Sequence, residues 1–211
     1  ILALNRVEFL EVLFGAMRAG CVPVMINVKL PDDTVEYIVK DADMKAVFAD
    51  ANQAERVPDG VRTLTFPSAA ELVGGGAGHG SSDAYRDFVI HSDEQFPSFF
   101  AGGDDVAEQP YTSGSTGKPK GVLLDHHGQL WMIGKIVESR DIRADDCSVI
   151  SAPLYHKNAL LAVKSALSAG GRIVIFSRFD AKEYIKAIER YKLTMLTGVP
   201  TMYALILQEA A

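Results

Sequence analysis

The chain has 211 residues, 48% of them apolar and 23% charged, with 21 Lys and Arg against 27 Asp and Glu. Folding a chain of this size buries roughly 70% of its unfolded surface, room for one substantial core or two small ones, which excludes the disordered class. A formal charge of −6 leaves no global basic field to draw nucleic acid or anionic lipid, so any anion must be held by a local set of donors.

The elements follow from periodicity. Val7, Leu10, Phe14 and Met17 recur at intervals of three and four and predict a helix over 5–19 with that stripe as its core face. Asn5 followed by Glu8 reads as a capping box, and Gly20 suits the left-handed stop. Residues 21–26 read as a buried strand. Pro31, Asp32 and Asp33 open a second helix carrying Val35, Ile38, Val39 and Ala42. Strands are expected at 46–49 and 61–66, a solvated glycine connector at 74–80, and a short helix at 85–89. Residues 91–105 have no clean period. Beyond them, 106–111 leads into a cluster of glycines and hydroxyls, and 121–124 is strand-like. Leu130, Ile133 and Val137 mark a helix in which Trp131 is expected to pack. A strand at 147–152 precedes a helix at 160–168, closed by Gly170 and Gly171, with Leu160, Leu161, Val163 and Leu167 as its core stripe. A strand at 173–176 follows. Asp180 and Glu183 then form a second capping-box pattern ahead of Tyr184, Ile185 and Ile188. Residues 193–196 read as a strand, and Pro200 starts a last helix.

This alternation predicts an α/β fold of mainly parallel sheets flanked by helices. Two subdomains are expected, 1–140 and 141–211, with the change near the Arg- and Asp-rich segment 139–146. Both ends run into helix-like patterns, so the chain reads as a piece of a longer protein. The opening apolar residues Ile1 to Leu4 lack a basic n-region and cleavage site and do not read as a signal peptide, and the longest apolar run, around 21–26, is far short of the ~20 residues that span a bilayer. The two cysteines, Cys21 and Cys147, lie in apolar runs without metal-ligand spacing. They are expected to be reduced and buried, in a cytoplasmic protein.

Chemistry concentrates at 111–121, which reads Tyr-Thr-Ser-Gly-Ser-Thr-Gly-Lys-Pro-Lys-Gly. Glycines let backbone N–H groups approach a ligand, successive inward amides form an anion nest, and Thr112, Ser113, Ser115 and Thr116 add hydroxyl donors. Lys118 and Lys120 supply charge for a polyphosphate, and Pro119 stiffens the turn between them. A Walker A loop is excluded by register: counted from Gly114 its second glycine falls on Pro119, and counted from Gly117 it falls on Val122. The dinucleotide-binding spacing fails as well. On residue types alone an ordinary Gly/Ser turn stays open, as does a purely structural role for His156 at a strand end. His126 and His127 are adjacent, point in different directions, and make a poor metal pair.

Thr112 to Gly121 resembles, over all ten positions, the phosphate loop of the adenylate-forming superfamily, whose members include acyl-CoA synthetases, adenylation domains of nonribosomal peptide synthetases and luciferases. Asp105-Val106-Ala107 resembles its lead-in, Pro153-Leu154-Tyr155-His156 its next motif, and Gly170-Gly171, Phe179-Asp180 and Gly198-Val199-Pro200-Thr201 fit in order, so the likeness covers nearly the whole chain. It implies part of the large N-terminal domain of an ATP-dependent acid–thiol ligase. Such an enzyme activates a carboxylic acid as acyl-adenylate and passes it to coenzyme A. A fatty acid is the first choice of acid, because Pro153-Leu154-Tyr155-His156 is most similar to fatty acyl-CoA synthetases, with aromatic acids and amino acids left open.

By the same resemblance Thr112, Ser113, Gly114, Ser115, Thr116, Gly117 and Lys120 would contact ATP phosphates, with the Thr116 hydroxyl close to Mg2+, and His156 would orient the carboxylate or gate its channel. Asp125-His126-His127-Gly128 departs from the family's usual Thr-His-Arg-Asn and puts an acid near a phosphate site. The family's Tyr-Gly-x-Thr-Glu segment, its ribose-binding aspartate and its C-terminal lysine do not occur, so these 211 residues alone are expected to fail at adenylation. Two other readings remain at this point. One is a nucleotide-binding or phosphotransfer protein using the same loop; the other is a non-catalytic fragment that self-associates.

Overall fold

The structure is a computed structural model that describes residues 1–67, 84–90, 99–113 and 117–210. The chain divides into two units, one of Ile1–Ala3 with Glu8–Leu124 and the other of Leu4–Val7 with Asp125–Ala211.

In the first unit α1 (Val7–Arg18) buries Phe9, Leu10, Val12 and Leu13. The expected stripe through Val7, Phe14 and Met17 is not the core face, and Val7 is 60% exposed. The helix carries apolar residues on more than one stripe, so a 3.6-residue period admits neighbouring faces and packing chooses between them. Residues 21–26 form no regular strand. They run extended beside Ile1, whose O accepts from Ile26 N–H at 2.9 Å, and Cys21 is exposed rather than buried. Helix α2 (Asp32–Asp41) lays Val35, Ile38 and Val39 into a core shared with Leu2, Val24, Ile26, Val47 and Ala49. β1 (Ala46–Asp50) and β2 (Arg62–Phe66) pair in parallel, Val47 opposite Thr63, and Leu2 bridges in parallel to Ala49. Burial alternates along both strands, with Val47 and Ala49 of β1 and Leu64 and Phe66 of β2 turned into the core.

Between β1 and β2 a 3-10 turn, Ala51–Arg56, brings the Arg56 guanidinium to Val28 O (2.8 Å), to Leu30 O and to Asp32 Oδ1 (2.5 Å). Helix α3 (Ala84–Ile90) sets Tyr85 edge-on to Phe66, centroids 5.1 Å apart, with its hydroxyl donating to Glu11 Oε2 at 2.6 Å. A largely apolar cavity of about 740 Å³ in this unit is walled by Val12, Ala16, Val24, Met44, Phe48 and Phe88. The expected connector at 74–80 and residues 91–98 lie outside the described residues. Four short strands follow: β3 (Val106–Glu108), β4 (Tyr111–Thr112), β5 (Lys120–Gly121) and β6 (Leu124–Asp125). Pro110, which has no N–H to give a ladder, separates β3 from β4.

The second unit is built on a parallel sheet in the order β8–β7–β9, comprising β7 (Cys147–Ile150), β8 (Arg172–Ile175) and β9 (Met195–Leu196). The central β7 is buried at all four residues. Helix α4 (His126–Arg140) starts at Asp125, whose Oδ1 accepts from Gly128 N–H at 2.6 Å. Trp131 lies on this helix but is 62% exposed, so the packing expected of it is not found. Helix α5 (Lys157–Ser168) buries Leu160 and Val163 of the expected stripe and leaves Leu167 exposed.

Helices α6 (Ala181–Tyr191) and α7 (Pro200–Ala210) complete the alternation. At α6, Asp180 Oδ1 accepts from Glu183 N–H at 2.9 Å, one half of the expected box, while the Glu183 carboxylate turns to Lys186 at 2.7 Å. The expected box at Asn5 does not form. Asn5 is buried, donates through Nδ2 to Ala152 O (2.9 Å) and accepts at Oδ1 from Leu154 N–H (2.7 Å), and α1 begins two residues later. Among the described residues no helix is long and apolar enough to cross a membrane.

Candidate functional site

The loop sits between β4 and β5, an antiparallel pair with Tyr111 opposite Gly121 and Thr112 opposite Lys120. Residues directly opposite in such a pair have Cβ atoms ~5 Å apart on one face. The Thr112 hydroxyl and the Lys120 ammonium therefore flank the same mouth, and both are exposed. Val122 N–H donates to Pro110 O at 2.9 Å and extends the pairing by one step. Gly117 has φ +88°, a left-handed backbone that disfavours a side chain, and a Cβ there would meet nothing within 4 Å. Its glycine thus serves the bend and not a crowded neighbour. At Gly121 the reverse holds: a Cβ would overlap Gln109 Nε2 and lie 3.1 Å from Tyr111 Cζ.

The structure therefore brings together Thr112, Ser113, Gly117 and Lys120 of the predicted site, and Ser113 is exposed beside Thr112. Gly114, Ser115 and Thr116 lie outside the described residues. Neither Thr112 nor Lys120 makes a side-chain hydrogen bond or ion pair among the described residues, so a hydroxyl and a cation stand ready for an anion. His156 belongs to the second unit. It is exposed at the N-cap of α5, with its ring 4.8 Å from that of Tyr155 and its N–H donating to Pro153 O at 3.0 Å. Asn5 holds that turn through Ala152 and Leu154. Asp125, the acid that departs from the family motif, is the cap of α4.

Residue-type reasoning missed the supports of the loop. Tyr111 Oη donates to Asp41 Oδ2 at 2.6 Å, Tyr37 Oη donates to Asp41 Oδ1 at 3.2 Å, and Lys118 Nζ stands 5.3 Å from the Tyr37 ring centroid. Partial burial, then the hydrogen bond to Asp41 and its charge, push the Tyr111 hydroxyl well above the usual tyrosine range. The one local signal was Tyr37 and Asp41 at i and i+4 on α2, a pair that faces the same way.

A family model described as AMP-binding enzyme matches residues 1–211. The chain is 31% identical over 203 residues to a feruloyl-CoA synthase of Amycolatopsis sp, spanning 96% of this chain and 38% of that protein. It is 30% identical over 200 residues to a long-chain-fatty-acid–CoA ligase of Mycobacterium tuberculosis, spanning 94% of this chain and 38% of that protein. It thus spans 38% of the length of each of these relatives. The solved structure of ATP-bound MatB from Rhodopseudomonas palustris superposes with a TM-score of 0.82 at 27% identity, over 98% of this chain and 40% of the other. The α/β fold of mainly parallel sheets is that of this group. With the family model matched from end to end and Thr112 paired with Lys120 across β4 and β5, the chain belongs to the AMP-binding enzyme family.

Proposed function

We propose that the protein carrying this chain is an ATP-dependent acid–thiol ligase and that residues 112–120 hold the β- and γ-phosphates of its ATP. One observation carries this reading: Thr112 and Lys120 stand opposite each other at the two ends of a loop whose Gly117 is left-handed. A carboxylate oxygen attacks the α-phosphorus, the bond to the β-phosphate bridging oxygen breaks, and pyrophosphate departs with the electron pair. A thiol then attacks the acyl carbon, loses its proton and displaces AMP. The loop lowers the first barrier by holding the leaving group in line and by offsetting the charge that grows on it. Lys120 supplies a full positive charge there, while Thr112, Ser113 and Ser115 donate hydroxyl hydrogen bonds and the backbone at Gly114 and Gly117 brings N–H groups close. Mg2+ would neutralise charge on the phosphates, and the Thr116 hydroxyl is the side chain proposed to approach it. His156 is proposed to orient the acid's carboxylate.

Coenzyme A is the proposed acceptor, because both relatives named above are a CoA synthase or a CoA ligase. The acid is proposed to be a fatty acid, on the strength of Pro153-Leu154-Tyr155-His156 and the long-chain relative at 30% identity. We propose a cytoplasmic location, where the free thiols of Cys21 and Cys147 would stay reduced. The test is exchange of labelled pyrophosphate into ATP by the full-length protein. Exchange that requires a long-chain fatty acid is the expected result. Faster exchange with a hydroxycinnamic acid than with any fatty acid overturns the choice of acid. Formation of ADP in place of exchange overturns ligation and favours phosphotransfer.

A further inference from the structure

The loop begins on a tyrosine tethered to a helix that lies far earlier in the chain. Tyr111 is clamped on three sides. Its ring lies over Gly121, where a Cβ would come within 3.1 Å of Cζ, its hydroxyl donates to Asp41 at 2.6 Å, and Gln109 Nε2 reaches the same hydroxyl at 3.4 Å. Asp41 takes one tyrosine on each oxygen, and the second, Tyr37, offers its ring to Lys118. Three chain segments thus converge on the entry and the return arm of the loop. The ladder that presents Thr112 to Lys120 is only two residues long on each strand. A hairpin that short is marginal unless something else fixes it. A carboxylate beside a phosphate site would also repel the ligand. With both oxygens occupied by phenols, Asp41 forms no ion pair with either loop lysine among the described residues, so Lys118 and Lys120 keep their charge for an anion.

We propose that Asp41 is a positioning residue for polyphosphate binding, holding Tyr111 and thereby the Thr112–Lys120 pair in register, while the Tyr37 ring carries Lys118. Burial and the neighbouring carboxylate hold the Tyr111 hydroxyl protonated, as a donor, beyond the usual tyrosine range.

This rests on the reading that the loop holds a nucleotide's phosphates, and two readouts separate the two ideas. The first is hydrogen exchange at the Val122 amide, which donates to Pro110 O beside the pair and needs no activity. Asp41→Ala and Tyr111→Phe should each speed it at least about fivefold, with the double variant no faster than either single one. The second is pyrophosphate exchange by the full-length protein. Each single variant should raise the ATP KM about tenfold and leave the acid KM within about twofold, again without multiplying in the double variant. Asp41→Asn, whose amide oxygen still accepts from Tyr111, should stay within about threefold of wild type on both readouts. If Asp41→Ala does not fold, Tyr111→Phe carries the same comparison by removing a single hydroxyl. Unchanged Val122 protection, losses that multiply in the double variant, or equal rises in the ATP and acid KM overturn the proposal. A wild-type protein that shows no acid-dependent exchange overturns the ligase reading instead, and Val122 protection then decides for or against the tether.

Discussion

Lys120 is one of 21 basic residues in a chain with 27 acidic ones, so its value for binding an anion comes from where it is held. Lys120→Ala in the full-length protein should lower the rate of pyrophosphate exchange by far more than threefold while leaving the unfolding midpoint unchanged. A loss of threefold or less, about 0.7 kcal/mol, would remove it from the proposed role. Asn5 makes the contrasting case of a side chain whose work is structural. Removing it leaves the buried Leu154 N–H and the half-buried Ala152 carbonyl without this partner, and a buried group so orphaned costs roughly 1–3 kcal/mol. Asn5→Ala should therefore lower stability by at least about 2 kcal/mol in urea unfolding.

Tyr184 adds a dependence on alkaline pH. Burial, and secondarily the nearby Tyr203, push its hydroxyl up to about 12 from an ordinary value of 10, and it donates to Thr197 O at 3.2 Å. Below pH 10 the folded and unfolded forms both keep this proton, and the stabilisation is complete. Between pH 10 and 12 only the unfolded form loses it, so stability falls across that window. Unfolding followed from pH 9 to 12 should show this loss in the wild type and a smaller one in Tyr184→Phe.

Element ends in this protein are set by short side chains. Asp125 and Asp180 each accept from the N–H three residues on and fix the starts of α4 and α6, and Asp141 and Lys192 leave those helices in left-handed backbone. The Asp125 cap explains why an acid is tolerated where the family motif usually has Thr: its charge faces the N–H groups at the start of a helix. Asp125→Ala should cost about 1 kcal/mol of stability, and Asp125→Ser about half of that or less, because serine caps nearly as well. Circular dichroism melts of the two variants would show the order. The β4–β5 pair is an element of another kind. Its two-residue ladder is braced by Gln109 and Asp41 outside it, through the Tyr111 hydroxyl, whereas β7 is secured by burial along its whole length.

Two units account for all the described elements, and apolar surface remains outside both cores. Phe100, Leu130, Trp131 and Leu207 are each more than 60% exposed. Leu130 and Trp131 are neighbours on the exposed side of α4 and could seat against apolar surface of another copy. We propose that the 211-residue chain by itself self-associates, and light scattering should give a mass above its 22.8 kDa. A monomer across the micromolar range would be the contrary result. Trp131, the sole tryptophan, offers a parallel measurement. Its emission should be that of a hydrated indole in dilute solution and should shift to shorter wavelength only if α4 lies in the associated surface.

What residue order alone determined was whatever depends on neighbours a few positions apart. The loop register that excludes a Walker A reading, the alternation of helices and strands, the Asp180 cap and the need for glycine at 117 are all of this kind, because backbone dihedrals and i to i+3 hydrogen bonds are local. Tertiary structure decided the rest: which face of α1 is buried, why Asn5 serves Ala152 and Leu154 and not its own helix, why Cys21 is exposed while Cys147 is buried, and how Asp41 reaches Tyr111. Each of these depends on partners tens to more than a hundred positions away. A periodic pattern can offer several apolar faces and a polar side chain several bonds, and only packing selects among them.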